Sequence, residues 1–106
     1  MSLQPAEYSP NPPSLNPTEP AYRFCVRSAV DPSVLSRVVE LFALRDLVPH
    51  AVSSRLDDRR EPELRIDVDV CGLGDNEAEH IARRIDQFMP VISVLLERDE
   101  AVRASA

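Results

Sequence analysis

The chain contains no lysine, so all 12 of its basic residues are arginine. Those arginines are scattered and form no patch, and their prevalence reads as coding bias. Against them stand 18 acidic residues, for a net charge of −6, which repels phosphate backbones and anionic lipid. Neither nucleic acid nor a membrane surface is an expected partner. Long hydrophobic runs are also missing: the longest, Met89–Leu96, is interrupted by Ser93 and falls far short of a membrane span. No charged-then-apolar leader is visible, the first basic residue being Arg23. Cysteine is scarce, and Cys25 and Cys71 have neither metal-ligand spacing nor the numbers for a secreted disulfide framework. An untargeted cytoplasmic protein is expected.

What is present points to one small domain. Residues 1–20 hold six of the ten prolines, with Ser, Asn and Gln between them. That composition cannot bury enough apolar surface to offset ordering entropy, which predicts a disordered arm and a domain starting near Ala21. A domain of about 80 residues remains, small enough that burial against a partner subunit would help, so a homodimer is expected.

The periodicity then changes in an orderly way. YRFCVRS alternates as a half-buried strand, with Phe24 and Val26 on one face and Arg23, Cys25 and Arg27 on the other. Pro32–Arg45 changes to helical spacing, with Leu35, Val38, Val39 and Phe42 as its apolar stripe. Val48–Leu56 reads as a weaker second strand, closed by the polar loop DDRREP. ELRIDVDVC alternates again, Leu64, Ile66, Val68 and Val70 inward and Arg65, Asp67, Asp69 and Cys71 outward. The only two glycines, Gly72 and Gly74, mark the next turn. A helix over Asp75–Phe88 follows, with Asp75 as N-cap and Ile81, Ile85 and Phe88 as its stripe. Met89–Glu97 is the last strand, and the domain ends at 98, leaving 99–106 as a frayed tail.

The order strand, helix, strand, strand, helix, strand specifies a ferredoxin-like βαββαβ α/β sandwich, a four-stranded antiparallel sheet with two helices on one face. Right-handed crossovers make the first and third strands central neighbours. Matching their inward faces brings either Arg23 to Asp69 or Arg27 to Asp67, which reads as a cross-strand ion pair on a solvated face rather than an anion site.

At VLSRVVELFALRD the chain resembles an ACT domain, and more narrowly the small regulatory subunit of acetolactate synthase, in its short single-domain form. Members often show a helix of the form A-L-S-R-V-x-x-L-F-x-x-R-G, matched by Leu35, Ser36, Arg37, Val38, Leu41, Phe42 and Arg45. Short members open this helix with N-P-x-x-L, to which Asp31-Pro32-Ser33-Val34-Leu35 is similar. The resemblance runs from about Tyr22 to Arg98. It implies a non-catalytic subunit that dimerises, binds a large thiamine-diphosphate-dependent catalytic subunit, and raises its activity or conveys feedback by a branched-chain amino acid. It also implies where an amino-acid effector would sit: around Asp31, Ser33, Val34 and Leu35 at the first turn, and Val48 and His50 near the second strand. Two departures stand out. Effector-binding members carry Asn and Gly in the first loop, where this chain has Val30 and Ser33, and another Asn near Val48; the helix-ending Gly is Asp46 here.

The chemistry of the first turn is legible without the family. A ligand carboxylate would bind the free N–H groups of the helix start. Asp31 stands at the N-cap with Pro32 at the first helical position, so its own carboxylate is expected to accept from Ser33 or Val34 and to occupy that place. An amino acid arriving by its ammonium would find Asp31 favourable. No catalytic residue, metal site or cofactor is expected, since Cys25, Cys71, His50 and His80 each read as ordinary surface or interface side chains. Stand-alone amino-acid sensing and ligand-free protein pairing through a sheet edge and the first helix remain as alternatives. The acylphosphatase, RNA-recognition and copper-chaperone versions of this fold lack their required residues here.

Overall fold

The computed structural model describes residues 21–58 and 60–99; the proline-rich arm and most of the tail lie outside them. The elements are β1 (Ala21–Ser28), α1 (Pro32–Ala43), β2 (Ala51–Asp57), β3 (Glu63–Cys71), α2 (Asp75–Asp86) and β4 (Val91–Asp99). The strands form one antiparallel sheet in the order β2-β3-β1-β4. This is the βαββαβ sandwich, with β1 and β3 at its centre.

Alternation in the sequence decides which face is covered. Tyr22, Phe24 and Val26 of β1 stand opposite Val70, Val68 and Ile66 of β3, and all six are buried under the helices. Phe24 meets Phe42 of α1 edge-on, ring centroids 5.1 Å apart at 77°, a geometry worth about 0.5–1.5 kcal/mol beyond burial. From α1 the buried residues are Val34, Val38, Leu41 and Phe42. The stripe is therefore rotated from the expected one: Leu35 packs at the edge of the core and Val39 is half-buried. From α2 they are Ala78, Ile81 and Ile85, with Phe88 at the margin beneath the Arg37 guanidinium, 4.5 Å above its ring.

The ends of α1 follow from its flanking residues. Asp31, extended at φ −138° and ψ 121°, caps the helix, and Pro32 fills the first helical position at no hydrogen-bond cost. The other end closes in a Schellman motif: Leu47 N–H donates to Phe42 O at 2.9 Å and Asp46 N–H to Ala43 O at 3.0 Å. Asp46 takes the left-handed conformation, φ 58°, where the family often has glycine. The regular helix runs to Ala43, with Leu44 as its C-cap, two residues short of the expected Arg45.

Other boundaries differ from expectation for local reasons. Strand β2 starts at Ala51 instead of Val48, because Pro49 has no N–H for the ladder. Strand β4 starts after the Phe88–Val91 turn, whose closing bond is Val91 N–H to Phe88 O at 3.0 Å, and it runs to Asp99. Helix α2 ends at Asp86 and is capped by Gly74, with no side-chain capping bond. Asp75, expected as the cap, instead accepts a hydrogen bond from the Tyr22 hydroxyl. Among the described residues, no helix is long and apolar enough to cross a membrane.

Candidate functional site

The start of α1 is closed by its own cap. One oxygen of the Asp31 carboxylate accepts from Ser33 N–H at 2.9 Å and from the Ser33 hydroxyl at 2.7 Å, while Val34 N–H turns to Asp31 O at 3.2 Å. The side-chain and backbone bonds from Ser33 hold the Asp31 carboxyl below the usual carboxylate range. The group is ionised at neutral pH, and a negative charge stands where a ligand carboxylate would enter.

The effector residues implied by the resemblance fall into two groups. Asp31 and Ser33 are bonded to each other, Leu35 is half-buried, and Val34 is turned fully into the core. Val48 and His50 are exposed, and the His50 backbone N–H donates to Asp69 O at 2.8 Å, just ahead of β2. Both β1 and β2 run antiparallel to β3, so they run parallel to each other. Helix α1 follows Ser28, in the row Ser28–Leu64–Leu56, whereas β2 begins in the row Arg23–Asp69–Ala51. Within one chain the two groups thus lie at opposite ends of the sheet.

The uncovered face of the sheet is a charged grid. Arg23 stands opposite Asp69, one of the two pairings expected, and the contact is bidentate, Nε–Oδ1 2.6 Å and Nη2–Oδ2 2.9 Å. Arg27 stands opposite Arg65 and reaches diagonally to Glu63, with bonds of 2.9 and 2.6 Å, which hold the Glu63 carboxyl low. Cys25 lies beside Asp67 between these pairs; partial burial, then the neighbouring carboxylate, pushes its thiol up to about 11. It is a poor nucleophile at neutral pH. Cys71 stands opposite Ala21, four rows from Cys25. About 13 Å of strand separates the two thiols, and both are free. His80 is exposed on α2, as expected. Among the described residues, no group of three or more His, Cys, Asp and Glu side chains is arranged to hold a metal.

One cluster escaped the sequence reading. The buried Tyr22 hydroxyl binds Asp75, and Arg98 of β4 approaches the other oxygen of Asp75 at 3.7 Å. A tyrosine at an inward position, with its polar tip needing a partner, was the available signal.

The sequence matches the ACT-like domain family over residues 16–103. The chain belongs to that family. ACT domains are typically regulatory, ligand-binding modules without catalytic function. Solved structures share the ACT-like fold at low sequence identity. The C-terminal domain of the MgtC protein from Mycobacterium tuberculosis is 13% identical, with a TM-score of 0.64 over 77% of this chain and 88% of that one. The ACT domain of GTP pyrophosphokinase from Chlorobium tepidum is 5% identical, with a TM-score of 0.62 over 76% of this chain and 100% of that one. A homoserine dehydrogenase from Thiobacillus denitrificans is 18% identical, with a TM-score of 0.59 over 90% of this chain and 21% of that one. No curated protein matches the sequence significantly.

Proposed function

We propose that this ACT-like protein is a non-enzymatic, cytoplasmic regulatory subunit that acts by protein–protein contact on a thiamine-diphosphate-dependent synthase of the acetolactate synthase kind, in branched-chain amino-acid biosynthesis. The observation that carries the reading is the pairing of two features in α1. From Leu35 within the helix to Arg45 just past its end the sequence follows the small-subunit pattern, while the Asp31 carboxylate occupies the turn where an effector's carboxylate would otherwise bind. A helix that keeps the regulatory pattern but closes its own anion site favours contact over sensing.

The test is capture of a thiamine-dependent large subunit with the native full-length chain, followed by assay of that synthase with and without it. Co-purification with a rise in synthase rate is expected. A catalytic subunit that neither binds the chain nor changes rate overturns the reading.

The protomer is proposed to work as a homodimer, with β2 as the contacting edge. All but the last residue of this strand are exposed, although it pairs along its whole length with the central strand β3. An antiparallel contact of two β2 strands would also bring Val48 and His50 of one copy to the Asp31 end of the other. That consequence supports a second reading, a stand-alone homodimer sensing an amino acid through its ammonium. A saturable rise in melting temperature with one of the twenty amino acids, abolished by Asp31→Asn, would favour sensing; no shift with any of them would remove it.

A further inference from the structure

We infer that Arg55, Arg65 and Arg27 form a binding site for one small oxyanion, a phosphate or carboxylate group, on the uncovered face of the sheet. These arginines are scattered in the sequence, and the strand register gathers them: Arg27 stands opposite Arg65, and Arg65 opposite Arg55. Their neighbours Val26, Leu64 and Ile66 are buried under the helices, so the three guanidinium groups lie abreast on the other face. All three can be reached from solvent, Arg55 being exposed and the Arg65 and Arg27 side chains 40% and 43% exposed. Like charges directly opposite one another work against strand pairing. Such a row calls for anions.

The chain's own carboxylates do not saturate it. In the next row toward the hairpin, Asp57 stands opposite Glu63. Glu63 is held by Arg27 through two bonds of 2.9 and 2.6 Å. Asp57 comes no nearer than 3.9 Å to Arg65, well beyond the roughly 2.7–2.9 Å of a charge-assisted hydrogen bond. On the other side the row reads Ser53, Asp67 and Cys25, with Asp67 turned to the Cys25 thiol. Among the described residues, neither Arg55 nor Arg65 makes a side-chain hydrogen bond, and Arg55 has no ion-pair partner. Two donor forks thus stay open about 5 Å apart on adjacent strands. Each fork matches the oxygen geometry of a carboxylate or phosphate, and one oxyanion laid between them serves both.

The surroundings limit what can bind. Asp57 and Glu63 on one side and Asp67 on the other confine the positive strip to the width of a single row, which repels an extended polyanion. The net charge of −6 is largely screened beyond about 8–10 Å, so it weakens a small anion's binding without closing the site. The row lies next to Ser28, Leu64 and Leu56, at the end of the sheet where α1 begins. There the Asp31 carboxylate keeps an anion from the helix side, while the arginines admit one on the opposite side.

The test is an NMR titration of the isotope-labelled full chain at constant ionic strength, with phosphate in one arm and malonate in the other, each against chloride. Saturable shifts of the backbone and guanidinium N–H signals of Arg55 and Arg65 are expected, and the tighter arm identifies the preferred group. Arg55→Gln is expected to weaken binding at least about tenfold, and in chloride to raise the urea midpoint by removing one of three like charges. Arg84→Gln, on the exposed side of α2, is expected to leave binding unchanged. Absence of saturable shifts in both arms overturns the site. So do shifts that survive Arg55→Gln and Arg65→Gln, or that spread evenly over the arginines of both faces, which mark an adventitious ion only. A lower urea midpoint for Arg55→Gln in chloride overturns the like-charge row on which the site rests.

Discussion

Arg23 and Asp69 clasp each other across the two central strands through two parallel N–H···O bonds, 2.6 and 2.9 Å long. The pair sits on the uncovered sheet face, where the arginine side chain is 42% and the aspartate 15% exposed. Solvent therefore screens much of its Coulomb energy. Asp69→Asn is expected to lower unfolding free energy by about 0.5–1 kcal/mol, with most of it recovered as coupling in a double-mutant cycle with Arg23→Gln, measured by urea denaturation.

The cap at Asp31 makes a second expectation. Asp31→Ala is expected to cost about 1 kcal/mol, and Asp31→Asn much less, because the amide oxygen still accepts from Ser33 N–H. The folded-state pKa of Asp31 lies below its unfolded value. Its contribution is thus fully present above the ordinary carboxylate range and is lost as pH falls through the lower, folded value. The stability gap between the native chain and Asp31→Ala, followed by denaturant titration at stepped pH, is expected to be flat from neutral pH down to the ordinary carboxylate range and to narrow only in acid.

Asp46 offers a stabilising change. It closes α1 at φ 58°, a conformation that costs a side-chain-bearing residue roughly 1 kcal/mol and glycine nothing. Asp46→Gly is expected to raise the urea midpoint by about 0.5–1 kcal/mol equivalent, whereas Asp46→Val lowers it. A fall on glycine substitution would show that the Asp46 carboxylate matters more than its backbone.

Cys25 should resist alkylation. With its thiol pushed up to about 11 by burial and by Asp67, it is almost wholly protonated at pH 8. In a Cys71→Ser variant, iodoacetamide is expected to react far more slowly than with an unhindered surface thiol and to accelerate as pH rises toward about 11. Asp67→Asn is expected to lower that inflection and speed the reaction at pH 8.

The strand alternation in RFCVR and LRIDVDV carried most of the fold, because a period of two leaves little choice about which side chains meet the helices. It also limited the central register to two options, of which Arg23–Asp69 is realised. The cap at Asp31 was equally legible, since Asp-Pro before an apolar helix has few other uses. What escaped was set by distance in the chain. Nothing near Asp75 signals that Tyr22, 53 positions away, will take its carboxylate and leave the helix cap to Gly74. The rotation of the α1 stripe onto Val34 and Leu41 depends on how the helix lies on the sheet, and helical spacing alone fits either setting. The positions tied to an effector came from resemblance, and one chain holds them at two ends of the sheet.

Ala21, where β1 begins, is paired both with Cys71 and with Asp99, where β4 ends. The domain's entrance and exit are therefore side by side, about 5 Å apart on adjacent strands. Ala21 and Asp99 thus mark a single corner of the sheet. A module wired in this way can be spliced into a host protein as an insertion, its two tethers spanning almost no gap, without asking the host to reshape itself.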